Sequence, residues 1–141
     1  MMQAETEEKI TIYTDGASRG NPGRAAWAYV MVRDDKVTRE DTRYLGIATN
    51  NVAEYTAIIS ALEAALDEGY TDADLYSDSE LVIRQITGVY KVRKEHLLQL
   101  RNRVSELEKQ FRELTFRQVR RSTPHIALAD ALCNKTLDMH T

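Results

Sequence analysis

Cysteine is all but absent from this chain of 141 residues: Cys133 stands alone, so no intrachain disulfide can form, and a reducing cytoplasmic setting is expected. Nor does any uninterrupted apolar run approach the ~18 residues of a membrane span, which excludes a helical membrane protein. The first eight residues lack the basic-then-apolar order of a signal peptide and instead carry Glu5, Glu7 and Glu8, so secretion is not indicated. No internal repeat or low-complexity linker divides the rest. The length suits one domain of ordinary size, and the expected organisation is a short tail over 1–8 followed by a single domain over 9–141, acting as a monomer.

Net positive charge, the usual mark of a nucleic-acid partner, is also missing: 19 basic and 22 acidic residues leave −3. The distribution reverses that impression. From Arg84 to Arg121 eleven basic residues face four acidic ones, a local +7 that leaves −10 for the remainder. A molecule polarised in this way can attract a polyanion with one side and hold cations with the other. A solvated helix face laced with ion pairs is the plainer explanation of the same run.

Hydrophobic spacing divides the chain into elements. Lys9 to Thr14 reads as a strand, ASRGNPGR (17–24) as a Gly/Pro/Asn loop, and Ala25 to Arg33 and Lys36 to Ala48 as two more strands joined through Asp34-Asp35. Val52, Tyr55, Ile58, Ile59, Leu62, Ala65 and Leu66 then recur every three or four residues, predicting a helix capped by Asn50 or Asn51 and closed near Gly69. A strand over Ala73 to Ser77, a helix opened by Asp78 and stopped by Gly88, a long amphipathic helix over about 93–112 and a strand over Leu114 to Val119 follow. Thr123-Pro124 starts a final helix to about Met139. The order βββαβααβα implies an α/β fold, a five-stranded mixed β-sheet flanked by α-helices. Trp27 and Cys133 are expected in its core.

Four acids fall where burial against such a sheet is costly without a cation: Asp15 after the first strand, Glu54 in the first turn of the first helix, Asp78 after the fourth strand, and Asp130 among the apolar residues of the last helix. Asp78 has an alternative role as a helix cap and Asp15 as a turn residue. If the first and fourth strands are neighbours, Asp15 and Asp78 converge and the two helices bring Glu54 and Asp130 over them. Clustered carboxylates repel unless metal neutralises them, and an all-oxygen set suits Mg²⁺ or Mn²⁺. Two such ions about 4 Å apart activate water on one side of a phosphodiester and stabilise the leaving oxygen on the other. The histidines at 96, 125 and 140 form no zinc motif with Cys133.

Four segments, YTDGASRGNPG (13–23), TNNVAEYTAI (49–58), YSDSELVIRQITG (76–88) and ADALCN (129–134), in this order, make the chain similar to the type 1 ribonucleases H over nearly its whole length. The resemblance implies an RNase H-like fold and a metal-dependent endoribonuclease that cuts the RNA strand of RNA/DNA hybrids, leaving 5′-phosphate and 3′-hydroxyl ends. It carries the catalytic, metal-binding role onto Asp15, Glu54, Asp78 and Asp130, with two ions expected. It also implies contacts of Asn21, Asn50 and Asn51 with the hybrid minor groove and of Thr49 with a DNA phosphate. Gly16, Gly20 and Gly23 are read as turn residues. A same-fold nuclease acting on double-stranded RNA or DNA, and a non-catalytic hybrid-binding module, are the competing functions.

Two departures from the family pattern matter. VYKVRKEHLLQL (89–100) lacks the tryptophan-rich basic protrusion of some bacterial members and looks like the compact archaeal-type branch, leaving Tyr90, Arg93 and Lys94 to hold the DNA strand. VRRSTPHIALAD (119–130) lacks the motif that positions a mobile histidine, so His125, Arg120 or Arg121 is expected to take that auxiliary part in proton transfer or product departure.

Overall fold

A computed structural model describes residues 9–140; the expected tail over 1–8 lies outside them. Five strands form one sheet, β1 (Ile10–Gly20), β2 (Gly23–Arg33), β3 (Lys36–Ala48), β4 (Asp72–Ser77) and β5 (Glu113–Gln118), in the spatial order β3-β2-β1-β4-β5. The first three pair antiparallel, while β1, β4 and β5 run parallel. Helices α1 (Asn50–Asp67), α2 (Glu80–Ile86), α3 (Glu95–Glu108) and α4 (Pro124–Asp138) complete the fold. None of the described helices is long and apolar enough to cross a membrane.

Strand alternation sorts the core into two layers. Ile10, Ile12 and Leu75 face α1 and α3, where Tyr55, Ile58, Leu62, Val104 and Leu107 meet them. Ala28, Val30 and Val32 face α4, where Ala129 and Cys133 meet them. Trp27 and Cys133 are both buried, as expected.

Two boundaries differ from the sequence reading. The segment 17–24 is not a loop: Ser18, Arg19 and Gly20 pair with Ala25, Arg24 and Gly23, so β1 and β2 extend as one hairpin around Asn21-Pro22. Polar turn-forming residues mark where the chain reverses, but the ladder continues wherever the partner strand offers its backbone. Asp15 accordingly lies within β1 and not after it. The β1–β4 ladder ends with Thr14 beside Ser77, so Asp15 on β1 and Asp78 just past the end of β4 are the next residues along the two parallel chains.

The helix starts differ as well. Thr49, not Asn50 or Asn51, caps α1, its Oγ1 accepting from Val52 N–H at 3.2 Å. Ser79, not Asp78, caps α2, accepting from Val82 N–H at 3.3 Å. Each true cap sits beside another residue that caps equally well, and tertiary contacts made the choice. The Asp78 carboxylate is thereby not needed to cap α2.

Candidate active site

Helix α1 reaches unusually close to β1, and small residues make that approach. Ala53, Ala57, Ala61 and Ala65 form a fully buried row at four-residue spacing. Opposite its start lies Gly16, where an added Cβ would stand 2.3 Å from the Ala53 carbonyl carbon. Gly16 therefore serves as a contact point, not the turn residue its sequence context suggested. Its backbone N–H donates to Glu54 Oε1 at 3.1 Å. Two residues along β1, Ser18 N–H donates to Asn50 Oδ1 at 2.9 Å. Residues 16 and 18 share one strand edge, and 50 and 54 share one helix face, so two parallel bonds dock α1 in register.

That docking assembles an acidic centre. Carboxylate oxygens of Asp15, Glu54 and Asp78 all lie within 4.8 Å of one another. They belong to a cavity of about 500 Å³ also lined by Asp130, Arg121, Asn50 and Asn51. Asp130 sits beside this trio but outside its tight grouping.

Electrostatic strain at the centre is severe. Burial, followed by the charges of Asp78 and Asp130 and a side-chain hydrogen bond with Asp130, pushes the Asp15 pKa up to about 8. Burial, then the charges of Asp15 and Asp78, raises Glu54 well above the usual carboxylate range, although the Gly16 N–H opposes the shift. Burial also raises Asp78, against the lowering influence of Arg121. Arg121 is the local counter-charge, its guanidinium 3.9 Å from Asp78 and 3.8 Å from Asp130, yet its side chain is 76% exposed. A guanidinium so exposed to solvent screening offsets little of this repulsion.

The donor set fits a divalent cation. Asp15 Oδ2 is buried with no hydrogen-bond partner, an arrangement costly to a carboxylate unless a ligand takes up the lone pairs. All the converging atoms are hard oxygens, as Mg²⁺ and Mn²⁺ prefer.

The remaining expected site residues are distributed around this centre. Asn21 lies at the hairpin turn, its Oδ1 accepting from Asn50 N–H at 3.0 Å. The cap bond of Thr49 uses its oxygen as acceptor and leaves its O–H to donate. Asn51 lines both the acidic cavity and a neighbouring notch of about 300 Å³ that contains Lys91, Arg93 and Lys94. Tyr90 is 40% exposed beneath the Arg84 guanidinium. Of the three auxiliary candidates only Arg121 lines the acidic cavity; His125 packs instead on the Tyr13 ring, 4.9 Å between centroids. Asn134 was not singled out from sequence, yet it lines the cavity, donates to the Asp130 carbonyl at 3.1 Å and accepts from Arg19 at 3.3 Å. Its spacing of one helical turn from Asp130 was the available signal.

The basic run is narrower in effect than its charge count. Arg84, Arg103, Arg112 and Arg121 are tied to Glu80, Glu63, Asp72 and the acidic centre. Of the seven others, Lys91, Arg93 and Lys94 gather at one notch.

An RNase H family profile matches residues 7–127. The chain belongs to the RNase H family. Ribonuclease HI of Halobacterium salinarum is 42% identical over 139 residues, covering 98% of this chain and 69% of that protein. The crystal structure of RNase H1 from that archaeon superposes with a TM-score of 0.89 at 44% identity, covering 94% of this chain and 99% of its own. LC11-RNase H1 in complex with an RNA/DNA hybrid gives 0.86 at 35% identity, covering 93% and 98%. A Mycobacterium tuberculosis protein described as bifunctional is 39% identical over 132 residues; this RNase H homologue covers 36% of its length. The five-stranded mixed sheet with flanking helices is thus the RNase H-like fold that the sequence motifs implied.

Proposed function

We propose that this RNase H hydrolyses the RNA strand of RNA/DNA hybrids, leaving 5′-phosphate and 3′-hydroxyl ends, with Asp15, Glu54, Asp78 and Asp130 holding two Mg²⁺ or Mn²⁺ ions. The convergence of three carboxylates within 4.8 Å, Asp15 and Glu54 buried and Asp78 half-buried, is the observation that carries this reading, because phosphate binding alone gains nothing from such a cluster. When bound, the ions supply activation of the attacking water and stabilisation of the departing oxygen.

The protein's own groups hold and frame that chemistry. Gly16 N–H fixes Glu54, and the Ser79 cap leaves Asp78 free to point into the cavity. Arg121 bridges Asp78 and Asp130 and is the residue placed to fill the auxiliary role, moving toward product phosphate as it leaves. The notch of Lys91, Arg93 and Lys94 takes phosphates of the DNA strand, with Tyr90 beside it. Thr49 O–H donates to another DNA phosphate, while Asn21, Asn50 and Asn51 meet the minor groove. End-labelled RNA/DNA, RNA/RNA and DNA/DNA duplexes incubated with Mg²⁺, Mn²⁺ or chelator test the function. Cutting of the hybrid RNA strand in metal alone supports it, and preferential cutting of double-stranded RNA or DNA assigns another substrate.

Asp130 reaches Asp15 but is not one of the three carboxylates that all lie within 4.8 Å of one another, so Asp130→Asn is expected to slow cleavage less than Asp78→Asn at saturating Mg²⁺ and to shift the half-saturating metal concentration more. Rate titrations against Mg²⁺ decide this; equal inactivity of both variants at saturation contradicts the ranking. The notch makes a separate prediction. Arg93→Ala with Lys94→Ala should raise KM by roughly tenfold while changing kcat less than threefold, since phosphate contacts hold ground and transition states alike. The logarithmic salt slope should fall by about one to two as the contacts are lost. Unchanged KM and salt slope would place the DNA strand elsewhere.

A further inference from the structure

The amides of Asn21 and Asn50 are locked in one orientation. Asn50 Oδ1 accepts from Ser18 N–H, and Asn21 Oδ1 accepts from Asn50 N–H. A main-chain N–H can only donate, so in both residues the oxygen turns toward the protein and the NH₂ group lies on the other side. Ser18 is itself held, its Oγ donating to the Ala48 carbonyl at 2.8 Å. Both asparagines are exposed, and among the described residues neither NH₂ group has a hydrogen-bond partner. Asn50 lines the acidic cavity one helical turn from Glu54. Two outward donors, and no outward acceptor from these amides, therefore stand beside the acidic centre.

We propose that this pair of amides discriminates among base pairs, disfavouring those that present the guanine 2-amino group in the minor groove opposite it; the inference rests on the hybrid-hydrolysis reading above. An A-like duplex offers a wide, shallow minor groove that side chains reach, displaying base edges and 2′-hydroxyls. Adenine N3 and pyrimidine O2 are acceptors there, whereas guanine adds an NH₂ donor. An amide fixed with its NH₂ outward bonds the acceptors and meets the guanine amino group donor to donor. A freely rotating amide would flip and accept from guanine. These two cannot, because flipping would turn an NH₂ group against a backbone N–H. The selectivity therefore originates in Ser18 N–H and Asn50 N–H, which touch no substrate and act as positioning groups.

Inosine provides the test, since replacing guanine with it deletes only the 2-amino group. In a hybrid cut at one mapped phosphodiester, guanines in either strand are replaced one at a time. At one or two positions beside the cut kcat/KM should rise by about 3–10-fold, the scale of one recovered hydrogen bond. Changing adenine to 2,6-diaminopurine at the same positions should lower it by a similar factor. Asn50→Asp and Asn21→Asp keep the inward oxygen but present an acceptor outward. Within each variant the inosine-to-guanine ratio should fall to within twofold of one or invert at the corresponding position, and taking the ratio cancels any loss of overall turnover. Ratios within twofold of one at every position in the wild type overturn the proposal, as do wild-type ratios retained in both variants. Absence of cleavage in every hybrid, with or without guanine, instead overturns the reading on which it rests.

Discussion

Asp15→Asn should reduce hybrid cleavage on the order of 10³-fold or more, yet yield a protein that is more heat-stable than wild type at pH 8 in chelator. Both effects arise from the same carboxylate. In the folded protein Asp15 holds its proton up to a pKa of about 8, through burial and then the neighbouring Asp78 and Asp130 charges, whereas an unfolded aspartate titrates near ~3.9. The folded state thus binds more protons between these values, and metal-free stability falls as pH rises through that window. The stabilising protonated form is fully present below about pH 4 and is lost toward pH 8. Asparagine imitates that form at every pH. The variant should gain ~1–2 kcal/mol at pH 8, roughly 3–6 °C in Tm, and almost nothing at pH 4. Calorimetry at both pH values, with and without Mg²⁺, checks the stability; turnover of purified variant checks the chemistry. Near-wild-type cleavage would reject the metal-site assignment, and an equal Tm gain at both pH values would reject charge repulsion as its cause.

Gly16→Ala is the second large effect expected, and it operates through space instead of charge. The new methyl would lie 2.3 Å from the Ala53 carbonyl carbon and 2.4 Å from the Glu54 nitrogen, both backbone atoms that no rotamer change can move. Accommodating it requires α1 to shift from β1, which draws the Glu54 carboxylate off the Gly16 N–H and loosens the alanine row behind it. A loss of about 3 kcal/mol or more is expected, near the upper end for overpacked sites. Well below the lowered Tm, helical circular dichroism should persist while cleavage drops by at least tenfold. A variant melting within 2 °C of wild type would mean that the close approach is not maintained in solution.

Much of this arrangement was legible because periodicity and breakers are local. Val52, Tyr55, Ile58, Ile59 and Leu62 reveal the buried side of α1, and Gly69 and Gly88 mark stops. The acids stood out because charge in an apolar setting needs a partner. What stayed hidden depends on partners distant in sequence. Nothing within YTDGASRG shows that Gly16 faces a helix, since strand alternation reports which side a residue occupies but not how near the next layer comes. Asp78 and Ser79 are both competent caps, so only the pull of the site separates them. The reach of Arg121 to two acids, and the fixed sense of the Asn21 and Asn50 amides, similarly require the hairpin, α1 and α4 to be in place first.

The acids of this centre enter the chain at positions 15, 54, 78 and 130, on β1, α1, the β4–α2 junction and α4. No contiguous stretch carries them, so the four carboxylates come together only after the parallel β1–β4 pair and both helical layers have formed. If these acids hold the ions as proposed, divalent-ion affinity is a gauge of global folding. By mass action, ions that bind only the native arrangement raise the free energy of unfolding by RT ln(1 + [L]/Kd) for a single site. Partly unfolded chains would forfeit that contribution along with catalysis, which links the onset of nuclease chemistry to completion of the fold.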